Sequence, residues 1–267
     1  MGKNWPAFDA SCDQPDLLLA AADDFSPTAV EERDDSLRVF FASPAARDSA
    51  VEALRPRFSV VPVDVPDDDW ARRSQENLTP ITVGRVTVLP SPESRAPSPE
   101  SIAIAIPPSM GFGTGHHATT RLCLAALQSI DLRDRFVLDV GTGSGLLAIA
   151  AVRLGAARAL GIDDDPDAIA AATENLTFNG VTGVEFAVSD LMNNDLPAAD
   201  VVVANLTGAL LVRAAGRLVR ALRPGGVLIV SGVLATEGAE VRRAFANQSF
   251  VDDVQEDEWL AFTIRSL

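Results

Sequence analysis

The sequence predicts an α/β protein, in which a doubly wound, Rossmann-like domain follows a small, ferredoxin-like α+β domain. Three observations support this prediction. From about residue 101 onward, apolar runs alternate with segments of helical periodicity, and a glycine-rich turn follows the first long run. The first 65 residues follow a different order of elements. With 267 residues, 47% of them hydrophobic, the chain can bury both cores without disulfides or metals.

The N-terminal module is predicted from its alternating patterns. Leu37, Val39 and Phe41 alternate with Arg38 and Phe40, as in a half-buried strand, and a Ser-Pro pair then starts a helix. The resulting βαββαβ order is typical of ferredoxin-like modules, which serve many functions. The predicted elements are strand 5–10, helix 15–23, strand 28–33, strand 37–42, helix 45–55 and strand 57–64.

Residues 66–100 differ in composition and are predicted to link the two domains. Three aspartates at 67–69 precede Trp70, and residues 82–89 alternate like a strand. A Pro- and Ser-rich stretch at 90–99 then indicates an exposed loop. The predicted boundaries are 1–65 for the first domain, 66–100 for the linker and 101–267 for the second domain.

The second domain contains strands that are apolar throughout rather than alternating. Such strands are buried on both faces, which is typical of a parallel sheet covered by crossover helices. A Pro-Gly-Gly sequence closes the last of three predicted helices. The strands are predicted at 136–140, 159–162, 184–188, 201–204 and 227–230, and the helices at 146–154, 166–179 and 208–222.

A glycine-rich motif follows the first of these strands. Asp139, Gly141, Gly143 and Gly145 form the pattern Asp-x-Gly-x-Gly-x-Gly, in which glycines allow the backbone to approach a bulky ligand. A dinucleotide site would place its third glycine at position 146, which is Leu146 here. The motif therefore favours S-adenosylmethionine over NAD; a tight turn kept small for helix packing is the structural alternative.

Acidic residues follow the second strand. Asp163 lies 22 residues after Gly141, where a carboxylate can accept hydrogen bonds from both ribose hydroxyls. Asp164, Asp165 and Asp167 are interpreted as solvated or helix-capping residues, because Pro166 suits a first helical turn. Of these acids, only Asp163 is predicted to bind the cofactor.

Asn205 is the predicted catalytic residue. It follows a buried strand, so its amide is expected at the rim where a methyl group would be delivered. Methyl transfer requires alignment of a neutral amine with the sulfonium methyl, and an amide oxygen can accept the amine N–H without adding charge. The alternative is that Asn205 caps the helix starting near Gly208.

A second glycine-rich segment, 110–120, precedes an apolar helix and is predicted to cover the cofactor. Phe112, Thr119 and Thr120 are its predicted cofactor-binding residues. His116 and His117 are the only histidines in the chain, adjacent side chains diverge, and no Cys or further His could complete a metal site, so none is expected. The sequence leaves two roles open for one of these two histidines. It helps to receive a proton, or it has a purely structural or polar role.

Two further residues are interpreted from their positions. Asp190 ends the third strand, where side chains contact the adenine edge, although it also suits an N-cap. Trp259 is predicted to be a core aromatic residue of the last strand.

Composition excludes several classes of protein. A net charge of −15 argues against binding of nucleic acid and suits a basic protein partner. No apolar run approaches the roughly 18 residues of a membrane span, and no signal peptide is apparent. We therefore expect a soluble, cytoplasmic monomer with Cys12 and Cys123 reduced. With no Tyr and one Lys, the chain also lacks the Tyr-x-x-x-Lys pair of many nicotinamide-dependent enzymes.

From about residue 67 onward, the sequence resembles the PrmA methyltransferases, which modify ribosomal protein L11 of the large subunit. The matching motifs are Asp-Asp-Trp70, Met-Gly-Phe-Gly-Thr-Gly-His-His-x-Thr-Thr at 110–120, the loop and helix start at 139–151, Gly-Ile-Asp163, Val-Ala-Asn-Leu206 and Glu-Trp259. The family's second tryptophan is replaced by Ser74.

The resemblance implies a seven-stranded, Rossmann-like methyltransferase domain and an N-terminal domain that recognises the substrate. It places Thr120, Gly141, Asp163 and Asn205 at S-adenosylmethionine-binding positions, with Asn205 beside the incoming amine. The implied reaction is methylation of lysine side-chain and N-terminal amines of the ribosomal protein. Methylation of another protein's lysine, methylation of a small amine and a non-catalytic adenosine-ligand sensor remain alternatives.

Overall fold

A computed structural model describes residues 4–11, 18, 21–22, 25, 27–33, 36–66, 79–96, 98, 100–107 and 117–266 of the chain. The chain divides into two compact units, residues 1–77 and 78–267. Among the residues described, no helix is long and apolar enough to cross a membrane.

The first unit contains a four-stranded antiparallel sheet. Its strand order is β2-β3-β1-β4, and residues 18, 21 and 22, between β1 and β2, are helical. This order confirms the ferredoxin-like arrangement. Its elements are β1 (Asn4–Ser11), β2 (Ala29–Arg33), β3 (Ser36–Phe40), α1 (Pro44–Leu54) and β4 (Ser59–Pro66).

Helix α1 begins where the Ser-Pro pair predicted. Ser43 is the N-cap, and its hydroxyl accepts a hydrogen bond from the N–H of Ala46 at 3.2 Å. Pro44 occupies the first turn, where its missing N–H removes no helical hydrogen bond. The helix buries Val51 and Leu54 against the strand residues that the alternating pattern assigned to the core.

The second unit is built on a seven-stranded sheet of order β10-β9-β8-β11-β12-β14-β13. Strands β8 to β12 are parallel, and β14 and β13 add an antiparallel edge. The predicted seven-stranded, Rossmann-like domain is thereby confirmed. The strands are β8 (Phe136–Val140), β9 (Arg158–Asp163), β10 (Val184–Val188), β11 (Ala199–Asn205), β12 (Leu222–Leu234), β13 (Ser249–Glu256) and β14 (Trp259–Arg265).

Helices cover both faces of this sheet, as the uniformly apolar strands predicted. Every residue of β8 is buried. One core packs the sheet against α2 and α3, and the other packs it against α5 and α6. The helices are α2 (Ala118–Gln128), α3 (Leu146–Arg153), α4 (Pro166–Asn179), α5 (Gly208–Arg220) and α6 (Gly238–Ala244).

Two boundaries differ from the sequence-based expectations. Strand β12 starts at Leu222, so the Pro-Gly-Gly sequence lies within it rather than closing α5. Within the predicted linker, β5 (Ile81–Val83) and β6 (Val86–Leu89) pair with β7 (Ile102–Ala105), and this sheet shares a core with α2 and α3. A local pattern could not reveal this, because β6 pairs with a strand beyond the Pro- and Ser-rich stretch.

Candidate functional site

The glycine-rich loop lies between β8 and α3, where the strand order of the sheet reverses. In open α/β sheets, this edge is the usual ligand site. Gly141, Gly143 and Gly145 have φ values of 71°, 52° and 79°. A Cβ on Gly141 would lie 2.4 Å from Cδ2 of Leu206. The positive φ therefore favours glycine here, and any side chain would also displace the terminal methyl of Leu206.

Asp139 lies beneath this loop and has no exposed surface. Its Oδ2 accepts hydrogen bonds from the Thr142 hydroxyl at 2.6 Å and from the Ala148 N–H at 3.2 Å, so the carboxylate holds the loop against α3. Burial raises the pKa of Asp139 from 3.8 to about 6, against the lowering effect of these hydrogen bonds. The side chain of Asp139 lines neither of the two cavities at the carboxyl edge of the sheet. Its predicted contact with the cofactor stays a prediction.

Asp163 ends β9 beside the loop. Its Oδ2 accepts the N–H of Gly143 at 2.9 Å, and its Oδ1 accepts the N–H of Asp165 at 3.2 Å. Asp165 is the N-cap of α4, as predicted, and accepts the N–H of Asp167 at 2.8 Å. Asp164 is exposed, also as predicted, yet it lines both cavities with Asp163.

A cavity of about 390 Å³ opens at the carboxyl edge of the sheet. It brings together residues from the loop after β8 and from α2, β9, β11 and β14 that are far apart in sequence. Six of the ten predicted site residues contribute to its wall. Its lining comprises His117, Thr119, Thr120, Gly141, Gly143, Ser144, Leu146, Leu147, Asp163, Asp164, Asn205, Leu206, Thr207, Leu210, Gly232 and Trp259.

Asn205 is the last residue of β11, and it lines this cavity. The N-cap of α5 is Thr207, not Asn205. The capping alternative for Asn205 is therefore wrong. Its predicted role beside the acceptor stays a prediction.

The start of α2 forms another wall. His117 is the N-cap, and its Nδ1 lies 3.4 Å from the Thr119 nitrogen and 2.8 Å from the Thr119 hydroxyl. Thr119 and Thr120 are each 1% exposed, and Oγ1 of Thr120 has no hydrogen-bond partner among the described residues. Phe112 and His116 lie outside the described residues. Within the described part of the chain, no group of acidic, His or Cys side chains could hold a metal ion.

A smaller cavity of about 80 Å³ adjoins the first and contains Asp190. Asp190 accepts hydrogen bonds from the N–H of Met192 at 2.6 Å and from Nδ2 of Asn193 at 2.5 Å. The hydrogen bond from Met192 is the largest cause that lowers the pKa of Asp190. The capping interpretation is therefore confirmed, because Asp190 caps a turn, whereas its contact with the adenine edge stays a prediction. Gly145 lines neither cavity; its Cβ would lie 2.6 Å from Cζ of Phe186.

Among the residues of the larger cavity that sequence reasoning missed are Trp259 and Gly232. The prediction that Trp259 is a core residue is wrong. Its side chain is partly exposed and lines the cavity, and its ring centroid lies 4.7 Å from that of His117. Gly232 has a φ of 84°, and a Cβ there would lie 2.2 Å from the carbonyl oxygen of Leu206. A glycine inside a strand marks a bulge or a close backbone approach, and this signal could have identified Gly232.

Comparison with protein families gives one match over most of the chain. Residues 28–266 match the model of the family "Ribosomal protein L11 methyltransferase (PrmA)". The match spans residues of both compact units, including every residue of the two cavities.

Individual relatives agree with this match. The ribosomal protein L11 methyltransferase of Pseudomonas paraeruginosa is 42% identical over 206 residues, covering 76% of this chain and 69% of the relative. The protein of that name from Deinococcus radiodurans is 38% identical, covering 97% of this chain and 96% of the relative. The crystal structure of ribosomal protein L11 methylase from Lactobacillus delbrueckii subsp. bulgaricus superposes with a TM-score of 0.65 at 27% identity, covering 71% of this chain and 99% of that one.

Proposed function

This chain belongs to the ribosomal protein L11 methyltransferase (PrmA) family, and on that premise we propose that it transfers methyl groups from S-adenosylmethionine to lysine side-chain and N-terminal amines of ribosomal protein L11. One observation carries the proposal. Asp163 and Asn205, from strands on opposite sides of β8, line the same cavity above the glycine-rich loop.

The residues present suit S-adenosylmethionine. A cavity of about 390 Å³ with a neighbour of about 80 Å³ falls in the range of small-molecule sites, roughly 300–1,000 Å³. The buried Thr120 hydroxyl lines this cavity without a hydrogen-bond partner among the described residues, which is a costly state unless a ligand supplies one. Each oxygen of Asp163 accepts one backbone N–H and retains capacity to accept a ribose hydroxyl.

The cofactor would supply a methyl group on a positively charged sulfur. Asp163 would hold the ribose, and Asp190 would lie toward the adenine end in the smaller cavity. Gly141 and Gly143 would let the backbone pass close beneath the ligand. Thr119 and Thr120 would contact the ligand from the opposite wall.

The side chain of Asn205 would orient the acceptor. Its amide oxygen can accept an N–H from the incoming amine and so direct the lone pair toward the methyl group. The amine must be neutral to react, and its proton can pass to water. Nδ1 of His117 is already engaged with Thr119, so that nitrogen is not available as the base. Of the two roles that the sequence leaves open for the histidine, these contacts with Thr119 favour the structural one.

The test is methylation of purified ribosomal protein L11 by the intact chain with labelled S-adenosylmethionine, followed by mass spectrometry of the product. Methyl groups on lysine side chains or the N-terminal amine are expected. Tight cofactor binding without transfer to any ribosomal protein would indicate the sensor instead. Label on a different ribosomal protein would refute the target while preserving the reaction.

Several expectations from the sequence stay predictions. They are the recognition role of residues 1–65, the monomeric state, the cytoplasmic location and the lack of direct nucleic acid binding. The site residues also stay predictions, Phe112 among them.

A further inference from the structure

An ion pair joins α2 to the end of β13, next to the larger cavity. Nε of Arg121 donates to Oε1 of Glu256 at 2.7 Å, and Nη2 of Arg121 lies 2.5 Å from the same oxygen. The two side chains are 26% and 36% exposed, so solvent screens them less than a fully exposed pair. The residues are 135 positions apart in the chain, so the pair is a tertiary contact.

Each partner of this pair adjoins a residue of the cavity wall. Arg121 directly follows Thr120 in the first turn of α2. Glu256 lies opposite Trp259 across the two-residue turn between β13 and β14. Thr120 and Trp259 both line the cavity, whereas Arg121 and Glu256 do not. The pair can therefore affect the positions of Thr120 and Trp259 without itself lining the cavity.

A second contact joins the start of α2 to the first residue of β14. The rings of His117 and Trp259 meet edge to face, with centroids 4.7 Å apart. An aromatic contact of this kind tolerates sliding and tilting of one ring against the other. A charge-assisted hydrogen bond is more directional and so restricts that movement. Together, the two contacts define both the separation and the orientation of α2 relative to the β13–β14 turn.

We propose that Arg121 and Glu256 are positioning residues for methyl transfer, which set the distance between Thr120 and Trp259 and thereby the alignment of the acceptor amine with Asn205. This inference rests on the proposed function. Thr120 is itself one of the proposed cofactor contacts, whereas Gly143, Asp163 and Asp190 line other parts of the two cavities and do not adjoin the pair. Loss of the pair should therefore slow transfer more than it weakens cofactor binding.

The test compares Glu256→Ala with Asp253→Ala. Asp253 lies on the same strand and pairs with Arg242 at 2.8 Å, outside both cavities, so its variant is a matched control for the loss of an ion pair from β13. For Glu256→Ala, kcat should fall about tenfold while the dissociation constant of S-adenosylhomocysteine changes less than about threefold. For Asp253→Ala, both should stay near the wild-type values.

Exchanging the charges of Arg121 and Glu256 distinguishes a positioning role of the pair from a contribution to stability alone. Arg121→Glu combined with Glu256→Arg restores the attraction, so kcat should recover relative to Arg121→Glu alone. Thermal melting checks folding, and Glu256→Gln replaces Glu256→Ala if the latter does not fold.

Equal kcat values for Glu256→Ala and Asp253→Ala, or a charge exchange that recovers nothing, would overturn the positioning role while leaving the proposed function intact. A wild-type chain that binds S-adenosylhomocysteine but transfers no methyl group would instead overturn the proposed function, and this role with it.

Discussion

The carboxylate of Asp163 accepts the backbone N–H of Gly143 at 2.9 Å, which joins the tip of β9 to the glycine-rich loop after β8. Asp163 thus shapes the loop and also lines both cavities. A residue with both tasks should be sensitive to substitution.

Replacement of Asp163 by Ala should weaken binding of S-adenosylhomocysteine at least about tenfold, because hydrogen bonds to a charged acceptor contribute roughly 1.5–3 kcal/mol each. Isothermal titration calorimetry measures this. Asp165→Ala is the control, because it removes the N-cap of α4 at about 1 kcal/mol of stability and lines neither cavity. Similar losses of affinity in the two variants would contradict the role assigned to Asp163.

Replacement of Asn205 by Ala should lower kcat by about 10- to 100-fold and change the dissociation constant of S-adenosylhomocysteine less than about threefold, because the amide is proposed to orient the acceptor. Steady-state kinetics with ribosomal protein L11 and separate binding measurements distinguish the two effects. The exposed Asn247, outside both cavities, supplies an Asn→Ala control. If affinity and kcat fall together, Asn205 holds the cofactor rather than the acceptor.

The buried Asp139 should make stability depend on pH. Its pKa is raised from 3.8 to about 6 in the folded protein, mainly by burial. Between these values the native state binds more protons than the unfolded state, so the stability contributed by Asp139 is complete below pH 3.8 and is lost as pH rises through about 6. The shift corresponds to at most about 3 kcal/mol.

Urea unfolding of the wild type and Asp139→Asn at several pH values from 4 to 8 measures this loss. The variant should gain stability relative to the wild type as pH rises, because Asn keeps an acceptor for Thr142 and carries no buried charge. The other carboxylates titrate in both proteins, so their contributions cancel when the two free energies of unfolding are subtracted. A stability difference that is constant with pH would refute the raised pKa.

Gly232 should tolerate no side chain. Its φ is 84°, and an added Cβ would lie 2.2 Å from the carbonyl oxygen of Leu206, which is backbone that cannot rotate away. Gly232→Ala should destabilise the fold by roughly 2 kcal/mol or more and reduce cofactor affinity. Gly225→Ala is the matched control, because its φ is 71° but its Cβ would meet open space, so only the backbone penalty of about 1 kcal/mol applies. Equal melting temperatures for the two variants would show that β12 shifts to relieve the contact.

The local chemistry of the site could be predicted from the sequence. Glycines at alternate positions after an apolar strand predicted the loop between β8 and α3, and Asp163 was predicted at the tip of the next strand. Both predictions depend on short-range rules, since a strand, a turn and a helix follow one another along the chain. The N-cap role of Asp165 has the same local origin.

The remaining walls of the cavity depend on tertiary structure. Trp259 reaches His117 only because β14 lies between β12 and β13, and no local pattern specifies that strand order. Position 232 requires glycine because the backbone of Leu206 passes beside it. The pairing of β6 with β7 places part of the predicted linker in the core around α2 and α3.

Backbone conformation and apolar periodicity are thus sufficient to predict the type of fold, the glycine-rich loop and the acid beside it. Which side chains face one another across the cavity depends on the tertiary structure, because burial of apolar surface is non-directional and does not specify partners. Those partners are set by strand order and by contacts such as Arg121 with Glu256.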